Sequence, residues 1–159
     1  MEKGTIQIYH GIGQGKSAAA LGNAIRFAAE GKTAIIIQFL KSEVNTEYFE
    51  KLEPEIKIFR FERTKEGFDD LSEEQKQEEI INIKNGLNYA KKVLGTGECD
   101  LLILDEFLGV LDEGIVSEQD IIEALEGRSI TTNVIITGLN ITPGIAGVAD
   151  SVLNITPEK

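Results

Sequence analysis

Thr5-Ile6-Gln7-Ile8-Tyr9-His10-Gly11-Ile12-Gly13-Gln14-Gly15-Lys16-Ser17 is the stretch on which the fold turns. Its first six residues alternate, with Ile6, Ile8 and Tyr9 giving the bulk a strand favours, and the glycine run then ends that pattern. From Lys16 to Glu30 the chain is rich in alanine, and Ala20, Ala24, Phe27 and Ala28 recur at helical spacing before Gly31, where a left-handed cap belongs. A strand, a glycine turn and a helix in that order aim unpaired backbone N–H groups at one point, beside the positive end of the helix dipole. Phosphate suits that point. Gly11, Gly13 and Gly15 let the backbone approach it without a Cβ, Lys16 can reach terminal phosphate oxygens, and Ser17 offers a hydroxyl to Mg²⁺.

The strict Walker A pattern wants glycine where His10 stands, so this loop is a variant of it. A dinucleotide fingerprint fails too, because its third glycine position is Lys16 and the next strand ends Gln38-Phe39-Leu40 without an acid for a ribose. A merely structural glycine turn is the remaining alternative. The reading adopted is a triphosphate loop, most simply for ATP, made of Gly11, Ile12, Gly13, Gln14, Gly15, Lys16, Ser17 and Ala18.

Downstream, Thr33 to Leu40 is a nearly unbroken apolar run, as expected of a strand covered on both faces, and Ile56 to Phe61 alternates strictly as a less buried one. Arg63 to Asp70 reads as a polar loop. Ser72-Glu73-Glu74-Gln75 matches a capping box, and Ile80, Ile83, Leu87, Ala90 and Leu94 then mark an amphipathic helix that should stop at Gly95. Asp100 to Asp105 is a buried strand ending in a carboxylate, and Ser117 opens a capped helix that closes near Gly127. Thr132 to Thr137 and Ser151 to Ile155 are two more strands around a helical turn started by Pro143. Alternating strands and helices imply right-handed crossovers and an α/β fold, with a mostly parallel sheet and helices on both faces. With 159 residues and 42% hydrophobic content, one P-loop domain over residues 1–159 is expected.

Asp105-Glu106 looks like the second half of the loop's site. A carboxylate at the carboxyl end of a buried strand lies at the edge where open α/β sheets bind ligands, and can hold Mg²⁺ directly or through water. Its plainer reading is an acid that caps the segment after the strand. Sixteen basic residues against 27 acidic ones give a net charge of −11, which disfavours nucleic acid and anionic membranes as partners. A local pocket of N–H groups, a lysine and a cation still admits a nucleotide. Cys99 and His10 are the only residues of their kinds, so one chain assembles neither a disulfide nor a Cys/His zinc cluster. No signal segment or long apolar run is visible, and a cytoplasmic location is expected. Cys99 reads as a small core residue, His10 as a strand end, and the acidic run from Glu66 to Glu79 as solvated, apart from the aromatic in Gly67-Phe68.

Several of these stretches together resemble the ATP:corrinoid adenosyltransferases. That family's Gly-Asn-Gly-Lys-Gly-Lys-Thr loop is similar to Gly11 to Ser17, its Gln-Phe-x-Lys segment to Gln38-Phe39-Leu40-Lys41, and its Leu-Asp-Glu strand end to Leu104-Asp105-Glu106. Its Val-Ile-Ile-Thr-Gly appears as Val134 to Gly138, and its Ala-Leu-x-x-Arg as Ala124-Leu125 and Arg128. The resemblance implies a RecA-like fold, commonly a homodimer, in which cobalt(I) of a reduced corrinoid attacks the 5′ carbon of ATP and tripolyphosphate leaves. It also implies that Phe68 covers the lower corrin face, that Ser17 and Glu106, beside Asp105, serve the metal (Mg²⁺ or Mn²⁺), and that no protein side chain acts as the nucleophile. Three positions depart from the family. Gln14 replaces the first loop lysine, Leu139 replaces an arginine, and Asp70 stands where a second corrin-face aromatic is expected. The chain also ends at Lys159 before the family's usual C-terminal segment and starts without its longer N-terminal extension. Two alternatives follow: a nucleotide-binding or regulatory homologue that has lost transfer, and an ordinary P-loop phosphohydrolase or kinase.

Overall fold

The computed structural model describes residues 2–40, 50–61 and 68–159. Six strands form one sheet: β1 (Ile6–His10), β2 (Ala34–Gln38), β3 (Ile56–Arg60), β4 (Leu101–Asp105), β5 (Asn133–Gly138) and β6 (Ser151–Asn154). Their order across the sheet is β3-β2-β4-β5-β1-β6, and every pairing is parallel. Parallel neighbours need crossovers, and the helices supply them: α1 (Lys16–Ala29), α2 (Glu73–Thr96), α3 (Phe107–Asp112), α4 (Glu118–Glu126) and α5 (Pro143–Val148).

Strand residues alternate between two cores. Ile8, Ile37, Leu102, Leu104, Val134 and Ile136 face α2, α3, α4 and α5, whose Ile83, Leu94, Phe107, Ile121 and Ile145 are fully buried among them. Tyr9, Ile36, Ile56, Leu101, Ile103 and Ile135 face Ala20 and Ala24 of α1 on the other side. Alanine at those two positions lets α1 lie close on the sheet. Each fully buried Ile or Leu contributes about 1.5–3 kcal/mol relative to exposure, so the central strands β2 and β4, buried at every position, anchor the fold. β3 and β6 are the edges and are correspondingly more exposed.

The capping box is present. Ser72 accepts from the Gln75 N–H at 3.2 Å, and the Ser72 N–H donates to Gln75 Oε1 at 3.1 Å. The helix it opens does not stop at Gly95. It continues to Thr96, because the residue in the left-handed conformation is Gly97 (φ 66°), whose N–H closes on Val93 O. Two features went unread in the sequence. One is α3, six residues long and too short to display a period; the other is the 3₁₀ turn Phe68–Asp70 inside the segment expected to be loop. Lys41 and Gly67 lie outside the described residues. Among the described residues no helix is long and apolar enough to cross a membrane.

Candidate nucleotide site

The loop from Gly11 to Gly15 joins β1 to α1 at the carboxyl edge of the sheet. Its glycines divide into two kinds. Gly11 (φ 120°) donates its N–H to Gly138 O and Leu139 O, and Gly13 donates to Ile155 O at 2.8 Å. A Cβ at Gly11 would fall 2.4 Å from Asn154 Oδ1 and Ile155 O, and one at Gly13 2.7 Å from Ile155 O. What crowds these two glycines is the chain itself at the end of β6, the side chain of Asn154 and the backbone of Ile155, rather than phosphate. Gly15 differs: its φ is 101°, and a Cβ there would meet nothing within 4 Å. Its conformation, with open space in front, leaves room there for a ligand to approach the backbone.

Gly15 is the N-cap of α1 and offers no side chain to cap it. The first helical bond runs from the Ala19 N–H to Gly15 O at 2.8 Å, so the N–H groups of Lys16, Ser17 and Ala18 precede the helix's own hydrogen-bond ladder. Lys16 is half-buried, and its ammonium folds over the loop, donating to Gly11 O and, at 3.0 Å, to Gly13 O. Ile12, Gln14 and Ala18 are exposed, Ile12 at 71% of its full accessibility.

Across from the loop, Asp105 ends β4 with only 2% of its surface exposed. Its Oδ1 accepts from Ser17 Oγ at 2.7 Å and from Thr137 Oγ1 at 2.8 Å. Thr137 in turn accepts the Glu106 N–H at 2.9 Å. Glu106 is left-handed (φ 61°) and forms the N-cap of α3. The expected pairing of Ser17 with Asp105 is therefore direct, and Thr137 ties the Glu106 backbone to the same carboxylate. Thr137 was missed as a site residue, although it lies in the quoted Val134 to Gly138 stretch. The signal that finds it is a polar side chain at the end of an apolar strand, legible only once β5 is known to lie beside β4.

These groups suit a hydrated divalent cation. Among the described residues no three His, Cys, Asp or Glu cluster as a metal cage. One hydroxyl beside a buried carboxylate leaves the remaining positions for water and phosphate oxygens, the usual arrangement for Mg²⁺ at a nucleotide. Such a metal would be held by Ser17, with Asp105 fixing that hydroxyl and Glu106 at the same edge.

Phe68 lies in the 3₁₀ turn, half-buried, with Lys76 Nζ 5.7 Å from its ring centroid. The turn abuts the far end of α3. Burial, then the Asp69 carboxylate and Asp112, raise the Glu113 carboxyl above its ordinary range, while Lys76 acts the other way. Asp70 is exposed, and Leu139 is exposed while its carbonyl receives Gly11. Arg128 is far from this edge: its guanidinium donates to Leu125 O, Thr132 O and Gly4 O at the amino ends of β1 and β5. Cys99 is buried, donates to Leu101 O at 3.3 Å, and burial pushes its thiol up to about 12, so it is no nucleophile at neutral pH.

The parallel sheet, with β5 between the loop strand and the Asp105 strand, and the loop on the first crossover define a P-loop protein of the RecA-like class. A solved KaiC-like protein from Pyrococcus horikoshii shares the fold, with a TM-score of 0.61 and 19% identity over 99% of this chain and 75% of that one. The chain belongs to the ATP:corrinoid adenosyltransferase family: the model described as ATP:corrinoid adenosyltransferase BtuR/CobO/CobP matches residues 2–159. It is 28% identical to the corrinoid adenosyltransferase of Escherichia coli K12, over 99% of this chain and 79% of that protein. It is 25% identical to that of Pseudomonas aeruginosa, over 99% and 77%.

Proposed function

We propose that this protein transfers the 5′-deoxyadenosyl group of ATP to the cobalt of a reduced corrinoid. The observation that carries the proposal is the Ser17–Asp105 hydrogen bond at the uncapped start of α1, in a chain matched by this family over residues 2–159. In the reaction the cobalt(I) electron pair forms a bond to C5′, the C5′–O5′ bond breaks, and its electrons leave on tripolyphosphate. The nucleophile belongs to the substrate, so the protein's task is to bind, orient and exclude water.

The N–H groups of Lys16, Ser17 and Ala18, with the open face of Gly15, receive phosphate oxygens. Lys16 exchanges its two carbonyl partners in the loop for the more strongly attracting phosphate. Asp105 holds the Ser17 hydroxyl toward the cation, and Thr137 keeps Glu106 at the same edge. A divalent ion, Mg²⁺ or Mn²⁺, held there by Ser17 would supply positive charge against the leaving polyphosphate. Phe68 covers the lower corrin face, carried on a turn whose Asp69 carboxylate acts on Glu113, the C-cap of α3, the helix that Glu106 opens. Residues 1–159 act as one nucleotide-binding unit, in a cytoplasmic homodimer whose mass light scattering checks.

The test is anaerobic incubation with reduced corrinoid, ATP and Mg²⁺, followed by the corrinoid spectrum. Formation of the light-sensitive alkylcobalt product is the expected result. Its absence, where a positive control reacts, overturns the proposal. Gln14, Leu139 and Asp70, each exposed and each a departure from the family, favour a second reading in which ATP binds and transfer is lost. Calorimetry that finds ATP binding without corrinoid binding selects it.

A further inference from the structure

Resting on the reading of the loop as a metal–nucleotide site, we propose that Gln38 is a positioning residue for the hydrated cation, its Oε1 accepting a hydrogen bond from a water of that ion. Gln38 ends β2, one strand beyond Asp105, and is 4% exposed. Strand register sets it directly between Asp105 of β4 and Arg60 of β3. The alternation that sends Ile35 and Ile37 to the α2 side sends Gln38 to the α1 side, the face where Asp105 meets Ser17. The carboxyl edge on that face thus reads Arg60, Gln38, Asp105, Thr137 across four adjacent strands.

Every other residue of β2 is apolar, and the packing asks for nothing else at its end. Among the described residues, Gln38 Oε1 is nonetheless buried with no hydrogen-bond partner. A buried acceptor in that state destabilises the fold that contains it, so the amide is not explained by stability. What it lacks is a donor. Mg²⁺ retains several of its waters when bound by few protein oxygens, and those waters are strong donors. A neutral amide has a further consequence here. It can accept from such a water but cannot take its proton, so it orders the shell beside the phosphates without activating water against them.

The experiment compares Gln38→Met, which keeps length and removes the acceptor, with Gln38→Glu, which keeps an acceptor oxygen. ATP affinity is measured by calorimetry with and without Mg²⁺, and the thermal midpoint is measured on the ligand-free proteins. For Gln38→Met the expected results are an unchanged or higher midpoint, unchanged metal-free ATP affinity, and ATP affinity in Mg²⁺ lowered about tenfold. Gln38→Glu is expected to bind ATP in Mg²⁺ at least as tightly as the unaltered chain. The inference is overturned if Gln38→Met binds ATP in Mg²⁺ as well as the unaltered chain, if it loses metal-free affinity equally, if its midpoint falls, or if Gln38→Glu is no better than Gln38→Met. The parent reading fails on a separate observation, an unaltered chain that does not bind ATP with or without Mg²⁺, and Gln38 falls with it.

Discussion

Thr137→Val removes one oxygen atom and leaves the shape of a fully buried residue nearly unchanged, so its effect isolates the hydrogen bonds that hold the Asp105 end of the sheet together. Two are lost: the 2.8 Å bond donated to the Asp105 carboxylate and the 2.9 Å bond accepted from the Glu106 N–H. The first involves a charged acceptor, and the second leaves a backbone donor without that partner. Together they amount to about 2–4 kcal/mol of lost stability. For a chain of this size that is a fall in Tm of about 5–15 °C. Urea unfolding should show a lower midpoint with an unchanged slope, because the surface exposed on unfolding is the same. ATP affinity in Mg²⁺ should fall with it, since Ser17 and Glu106 lose a common support. Thr137→Ser retains the hydroxyl and should recover most of both effects, less about 1 kcal/mol for the missing methyl. A Thr137→Val protein within about 0.5 kcal/mol of the unaltered chain would refute the linkage, since that is the range of an ordinary surface change.

Lys16→Ala should weaken ATP binding by about 1.5–3 kcal/mol, roughly 10- to 150-fold in Kd by calorimetry; unchanged affinity removes the lysine from the site. Gly13→Ala puts a Cβ 2.7 Å from Ile155 O and should displace the end of β6 from the loop, costing about 1–3 kcal/mol in urea unfolding; an unaffected midpoint means the loop and β6 are not in register as described. The raised Glu113 carboxyl makes the turn that carries Phe68 pH-sensitive. Its contribution to stability is complete below the ordinary glutamate range and is lost as pH rises through the raised value. Hydrogen exchange at residues 68–71 should therefore speed up, beyond the intrinsic rate, across that window, and Glu113→Gln should abolish the change; a persistent change in the variant counts against the pairing.

What was readable in the sequence is what local chemistry determines. The apolar runs of β2 and β4, the Ser72 capping box and the alanine-rich start of α1 each state their structure within a few residues, and the structure has them there. Asp105 was legible as a candidate because a carboxylate after four apolar residues closes a buried strand at the sheet's carboxyl edge. At the site the misses have one origin, contacts between residues far apart in the chain. Gly11 and Gly13 are glycines because Asn154 and Ile155 lie against them, a contact that exists only once β6 is the neighbour of β1. Thr137 and Gln38 read as ordinary strand ends until the strand order sets them on either side of Asp105. Gly95 and Gly97 are equally good helix stops by composition, and the choice falls to Gly97, whose N–H closes on Val93 O while the chain turns toward Ser129.

The fate of the three phosphates after one turnover tests the central claim most directly. Phosphorus NMR of the anaerobic reaction with reduced corrinoid, ATP and Mg²⁺ distinguishes attack at C5′ from attack at phosphorus. Intact tripolyphosphate in equal amount to the alkylated corrinoid is the predicted spectrum. Resonances of ADP and orthophosphate in its place, with the corrinoid unchanged, would contradict the account and assign the loop to ordinary phosphoryl transfer.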